Sequence, residues 1–105
     1  MGEMTNLNSP QLIEAVHVWT GWGRSAMPSR NDQRVADHFG VQAAAKLLPL
    51  IKSLEDDFYV SDARLSAANL QEMERLASEQ FRQKHPTAAE EIVKAFAWCY
   101  TYDFK

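Results

Sequence analysis

The sequence predicts an all-α protein: a single domain over residues 1–105, built from about five helices packed as an irregular bundle. Three observations predict it. Apolar residues recur three and four positions apart in each organised segment. Those segments open and close on residues that cap helices. No stretch alternates apolar and polar long enough to make a strand. With 105 residues, 46% of them hydrophobic and 10% aromatic, the chain can bury one core and is far from a disordered composition.

The first helix is read from "SPQLIEAVHVW". Ser9 is a good N-cap, Pro10 occupies the tolerated first helical position, and Gly21 stands where a helix stops. Leu12, Val16 and Trp19 form its apolar stripe, and Trp19 is predicted in the core. Gly21, Gly23 and Pro28 then make residues 21–30 a loop. Asn31 caps a short helix with Asp32 in its first turn, Val35 and Phe39 as its apolar pair and Gly40 as its terminator.

A longer helix starts at Val41, with Val41, Ala44, Ala45, Leu48, Ile51 and Leu54 on one face. Pro49 lacks an amide N–H and clashes with the preceding turn, so it is expected to kink or divide this helix. "DDFYVSD" reads as a connection. Ser66 is predicted to cap the next helix, where Leu70, Met73, Ala77 and Phe81 recur at helical spacing and "KHP" ends the run. Thr87 and Glu90 have the spacing of a capping box ahead of the last helix. That helix carries Ile92, Phe96, Cys99 and Tyr100 on one face.

Charge narrows the function classes. The net charge is −3, which argues against a general nucleic-acid binder. Residues 1–50 balance four Lys/Arg against four Asp/Glu, while residues 51–105 hold seven against ten, so the excess lies in the second half. A basic partner is favoured over an acidic one. Cys99 is the only cysteine, so an internal disulfide and a thiolate metal cage are both excluded. No apolar run reaches the roughly 18 residues needed to span a bilayer, and "MGEMTNLNSP" has no secretion-signal pattern. A cytoplasmic protein without a membrane anchor is expected.

Catalytic and metal chemistry find little footing. Glu14 and His17 form a Glu-x-x-His unit on one helical face, as di-metal four-helix proteins do. Such sites need a second unit, and Asp37 and His38 are adjacent rather than one turn apart. Cys99 falls on an apolar face, where a thiol is inert. No nucleophile elbow or phosphate-binding loop appears. No catalytic residue, metal or cofactor is expected, and the chain reads as a non-enzyme.

The segment "RVADHFGVQAAAKLL" has Ala36, then Gly40 four positions on, then Val41, with Phe39 before the turn. It resembles the helix-turn-helix of bacterial DNA-binding proteins. That resemblance implies a DNA-binding regulator using residues 32–48, with Gln42, Ala43 and Lys46 offered to the groove. Lys46 departs from the pattern where a buried aliphatic belongs, as does Pro49 early in the recognition helix.

Two other features point to a protein interface. The loop "WTGWGRSAMPSR" holds Trp22, Arg24 and Arg30, and tryptophan and arginine are the residues most enriched at binding hot spots. Glu55, Asp56 and Asp57 follow a helix, where negative charge meets the negative end of the helix dipole, and Asp62 lies just beyond. Fold stability does not ask for such a run; a basic partner would. The leading expectation is a small binding protein that neutralises a basic partner protein by occlusion. An immunity or antitoxin-type inhibitor of a bacterial toxin, such as a nuclease, is its concrete form. The DNA-binding regulator is the alternative.

Overall fold

The structure is a computed structural model that describes residues 7–105, and within them the fold is an all-α bundle. The N-terminal residues 1–6, which carry most of the stretch read for a secretion signal, lie outside the described residues. Helix α1 spans Pro10–Thr20, α2 Asp32–Phe39, α3 Val41–Tyr59, α5 Leu70–Lys84 and α6 Glu90–Phe104. A single turn, α4, spans Ala63–Ser66.

The caps at the first two helices act as the sequence predicts. Ser9 Oγ accepts the Leu12 N–H at 3.1 Å, and Gly21 closes α1 at φ 83°. Asn31 Oδ1 accepts the Arg34 N–H at 3.2 Å, and Gly40 closes α2 at φ 94°. Both glycines sit where a side chain would be strained.

Helix α3 corrects two expectations. Pro49 does not divide it, and it runs on through Asp56 and Asp57 to Tyr59. Its buried residues are Ala44, Leu47, Ile51, Leu54 and Phe58, so Phe58 continues the stripe one turn past the acidic run. Leu47 takes the core position expected of Leu48, and Val41, expected on the buried face, is 77% exposed.

The later caps differ too. Ser66 ends α4, and Asn69 caps α5 instead, accepting the Glu72 N–H at 2.8 Å. At α6 no side chain caps the first turn; Glu90 turns to Arg82, which donates to it twice, at 2.8 and 2.9 Å. Ala89 is the N-cap, so Glu90 is the first helical residue and not the third that a capping box needs.

Helix α6 is the central strut. It packs against α1, α3 and α5, and Ile92, Val93, Ala95, Phe96, Ala97, Cys99 and Tyr100 are all buried. The Phe58 ring lies 5.2 Å from Phe81, 6.2 Å from Phe96 and 5.7 Å from Tyr100. Full burial of each such side chain contributes roughly 1.5–3 kcal/mol, and tilted ring pairs add about 0.5–1.5 kcal/mol. This aromatic knot fixes the C-terminal end of α3 against α5 and α6, and so fixes where the acidic run faces.

Candidate protein-binding surface

The loop after α1 is shaped by its own backbone. Gly21 O accepts from the amides of Arg24 and Ser25, each at 2.9 Å, folding the chain back at once. A Cβ at Gly21 would come within 2.9 Å of the rotatable Ser25 Oγ, so it is the φ of 83° that makes this turn require glycine. Farther on, Ser29 N–H donates to Thr20 O at 3.0 Å and Asn31 N–H to Trp19 O at 3.2 Å.

Arg34 locks the return. Its Nε donates to Val18 O at 2.9 Å, and its Nη2 donates to Trp19 O at 2.9 Å and Ser29 Oγ at 2.8 Å. A guanidinium thus covers the carbonyls left open at the C-terminal end of α1, where the helix dipole also favours a cation. The loop is held on both flanks.

The predicted site residues on this loop divide between two neighbourhoods. Trp22 is half-buried against the core, with its indole 4.9 Å from the His17 ring. Arg24 pairs with Glu14 and holds that carboxyl below the usual glutamate range, against the opposing effect of burial. His38 Nε2 is 3.6 Å from the same carboxylate. His17 Nε2 has no hydrogen-bond partner among the described residues. No group of three His, Cys, Asp or Glu able to hold a metal occurs among the described residues.

Arg30 belongs to the other neighbourhood, and there the two sequence features meet. Its Nε donates to Glu55 at 2.6 Å, and its Nη2 donates to Asp103 at 2.9 Å and to the Tyr59 hydroxyl at 2.6 Å. Tyr59 donates its own O–H to Asp103 at 2.6 Å. Burial works against the charged guanidinium, but the Glu55 and Asp103 bonds outweigh it and push Arg30 higher still. Burial and the Asp103 bond likewise raise the Tyr59 phenol. Close by, the Tyr102 hydroxyl donates to the exposed Met27 sulfur at 3.0 Å.

The acidic run fans out, because successive helical residues point about 100° apart. Glu55 faces Arg30. Asp57 Oδ2 accepts from the His85 ring Nε2 at 2.8 Å, toward the turn between α5 and α6. Asp56, between them, is exposed and makes no ion pair among the described residues. Asp62 faces α5, 3.5 Å from Gln80 Nε2. So the structure brings Arg30 and Glu55 together, while Trp22 with Arg24, Asp57 and Asp62 engage other elements and Asp56 stays exposed.

Sequence reading missed Arg34, Tyr59, Tyr102 and Asp103. Tyr59 carried a signal, since it lies one helical turn beyond Glu55; the others had none that is local. At residues 32–48 the link between α2 and α3 is Gly40 alone, shorter than the three or four residues of a helix-turn-helix turn. Lys46 is exposed, as are Asp32 and Asp37 of α2. The Cys99 thiol is buried and pushed up to about 12 by desolvation.

No protein-family model, no curated protein and no solved structure matches this chain. Among the described residues no helix is long and apolar enough to cross a membrane.

Proposed function

We propose that this chain is a small binding protein that neutralises a basic partner protein by covering it, in the manner of an immunity or antitoxin-type inhibitor of a bacterial toxin such as a nuclease. The observation that carries this reading is the cluster around Arg30. Glu55 and Asp103 set two negative charges against one guanidinium, a local excess of one, and the exposed Asp56 follows Glu55 on α3. Four hydrogen bonds hold the cluster in place before binding. A fixed, net-negative surface costs little to order and steers a basic partner toward it. Carboxylates so held take the place that nucleic-acid phosphates would occupy on a nuclease. The work is done by coverage, with no catalytic step on this chain.

The test is capture from native cell extract on immobilised wild-type protein and on Asp56→Lys. A basic protein retained by wild type, shed by added salt and bound about tenfold more slowly by the variant supports the reading. If that protein is a nuclease, one equivalent of this chain should abolish its activity. Retention of duplex DNA in place of protein, with a steep salt slope, would transfer the reading to a DNA-binding regulator.

A further inference from the structure

The three tyrosines direct their hydroxyls to unequal acceptors. Tyr59 donates to the Asp103 carboxylate at 2.6 Å and Tyr100 to Ser61 O at 2.8 Å. Tyr102 donates instead to the thioether of Met27, at 3.0 Å and across 75 positions of the chain. A thioether is a weak acceptor, so a good donor is set against a poor partner. The pair still has a defined place in the fold. Met27 and Arg30 belong to the loop after α1, and their partners Tyr102 and Asp103 are neighbours in the last turn of α6. Two straps therefore tie this loop to the end of α6, a charged one through Arg30 and a weak one through sulfur.

Met27 is also open to reagents. It is 58% exposed, whereas Met73 of α5 is 4% exposed in the core. Met1 and Met4 lie outside the described residues. Oxidation turns a methionine from an apolar side chain into a polar sulfoxide, a change that reductases reverse. In a core such a change breaks packing. At Met27 little packing is lost, and a hydroxyl donor already points at the sulfur.

We propose that Met27 is a reversible oxidation site for hydrogen peroxide and that Tyr102 holds the oxygen it gains. The peroxide O–O bond breaks, one oxygen joins Met27 Sδ through a sulfur lone pair, and the other leaves as water with both protons. Sulfur loses two electrons and the peroxide takes them. The weak O–H···S contact is then replaced by an O–H···O bond to a stronger acceptor. Both groups lie at the surface, and Met27 has three rotatable side-chain bonds, so its oxygen turns to the hydroxyl without moving the backbone. Oxidation thus tightens the loop against α6, beside Arg30. The inference stands whether or not the Arg30 cluster meets a partner protein.

The test treats the folded full chain with hydrogen peroxide, locates the added oxygen by peptide mass, and reads the loop by amide exchange. Met27 should oxidise at least about tenfold faster than the buried Met73. The amides of Ser29 and Asn31 donate to Thr20 O and Trp19 O and exchange when the loop opens. Their exchange should slow about threefold in oxidised wild type, the size that one surface hydrogen bond allows. Oxidised Tyr102→Phe, which lacks the donor, should show no slowing. Peroxide-treated Met27→Leu controls for Met1 and Met4 and should show none either. The two methionine sulfoxide reductases, one for each epimer, should together restore the original rate. Met27 reacting no faster than Met73 overturns the site. Unchanged or faster exchange after oxidation, or slowing that persists in either variant, overturns the capture by Tyr102. Failure of the reductases to restore the rate overturns its reversibility.

Discussion

The indole N–H of Trp19 donates to Asp32 Oδ1 at 2.9 Å, joining the last turn of α1 to the first turn of α2 across the loop between them. The other oxygen of that carboxylate takes Lys52 of α3 at 2.7 Å. One side chain thus ties three helices. The Lys52 arm is half-exposed on both sides and is worth little, whereas the indole loses a part-buried partner if the carboxylate goes. Asp32→Ala should therefore cost about 1–2 kcal/mol, and Asp32→Asn, which keeps an acceptor for the indole, well under half of that. Urea unfolding of the two variants separates the arms.

The same carboxylate joins Glu14, Glu72 and Glu90 in setting the acid limit. The Lys52 and Trp19 bonds hold Asp32 below its ordinary value, and Arg24, Arg75 and Arg82 do the same for the three glutamates. Groups depressed in the folded state contribute stability above their unfolded values and lose it as pH falls through the folded ones. Stability should be flat near neutrality and decline below about pH 4. Melting temperature against pH checks this. A rise in stability on acidification would show these pairs to be misassigned.

Arg34 makes the next prediction. Three acceptors on α1 and the loop depend on one guanidinium. Arg34→Ala leaves Val18 O without its side-chain donor and Trp19 O with the Asn31 N–H alone, and should cost about 1–3 kcal/mol. Arg34→Lys supplies a charge without the planar fork and should recover only part of it. Amide exchange in residues 21–30 should speed up in both variants, and most in the alanine one.

What the sequence made legible divides along the range of the forces involved. Helix α1 is delimited by Ser9, Pro10 and Gly21, which act within a few residues, and its bounds follow from them. Helix α3 was misjudged because Pro49 and three consecutive acids speak locally against it. What keeps it running is Phe58, in phase with Leu54 and held by rings from α5 and α6. The Thr87–Glu90 box failed because the helix starts later: Ala89 is the N-cap, its N–H donating to the distant Leu7 O, so Glu90 is the first helical residue. The loop and the acidic run were each visible in the sequence. Their junction was not, because Arg30 meets Glu55 across 25 positions and Asp103 across 73.

That junction predicts unequal effects within the acidic run. Asp56→Lys removes a free charge, adds a cation near the C-terminal part of a helix, and should change stability by no more than about 0.5 kcal/mol. Glu55→Lys sets a cation against Arg30 in a part-buried position and should cost roughly 1–3 kcal/mol. Asp57→Lys loses the His85 contact and should fall between them. Chemical denaturation of the three single variants reads the order. Partner association should slow about tenfold with Asp56→Lys while its fold persists.

Cys99 gives a probe of global opening. Its thiol is fully buried on α6, and desolvation pushes its pKa up to about 12. At pH 8 the native chain should react with a disulfide reagent only through unfolding, so the rate should track stability across the variants above. Rapid reaction of the native protein, insensitive to added denaturant, would mean that α6 is not the buried strut.

The two loop-side tryptophans make the last test. Trp19 is sealed in the core and donates to Asp32, so Trp19→Ala should cost about 3–5 kcal/mol. Trp22 is only half-buried, rests on His17 and gives its backbone amide, not its indole, to Thr20. Truncating it removes surface contact and leaves the amide bond in place, so Trp22→Ala should cost about 1–2 kcal/mol. Guanidinium unfolding of both variants gives the ratio. If Trp22→Ala matches Trp19→Ala, the second indole serves the core and has no surface left for a partner. If it stays in the lower range while capture of the partner weakens, the indole works on both sides, closing the end of α1 and meeting the molecule that docks there.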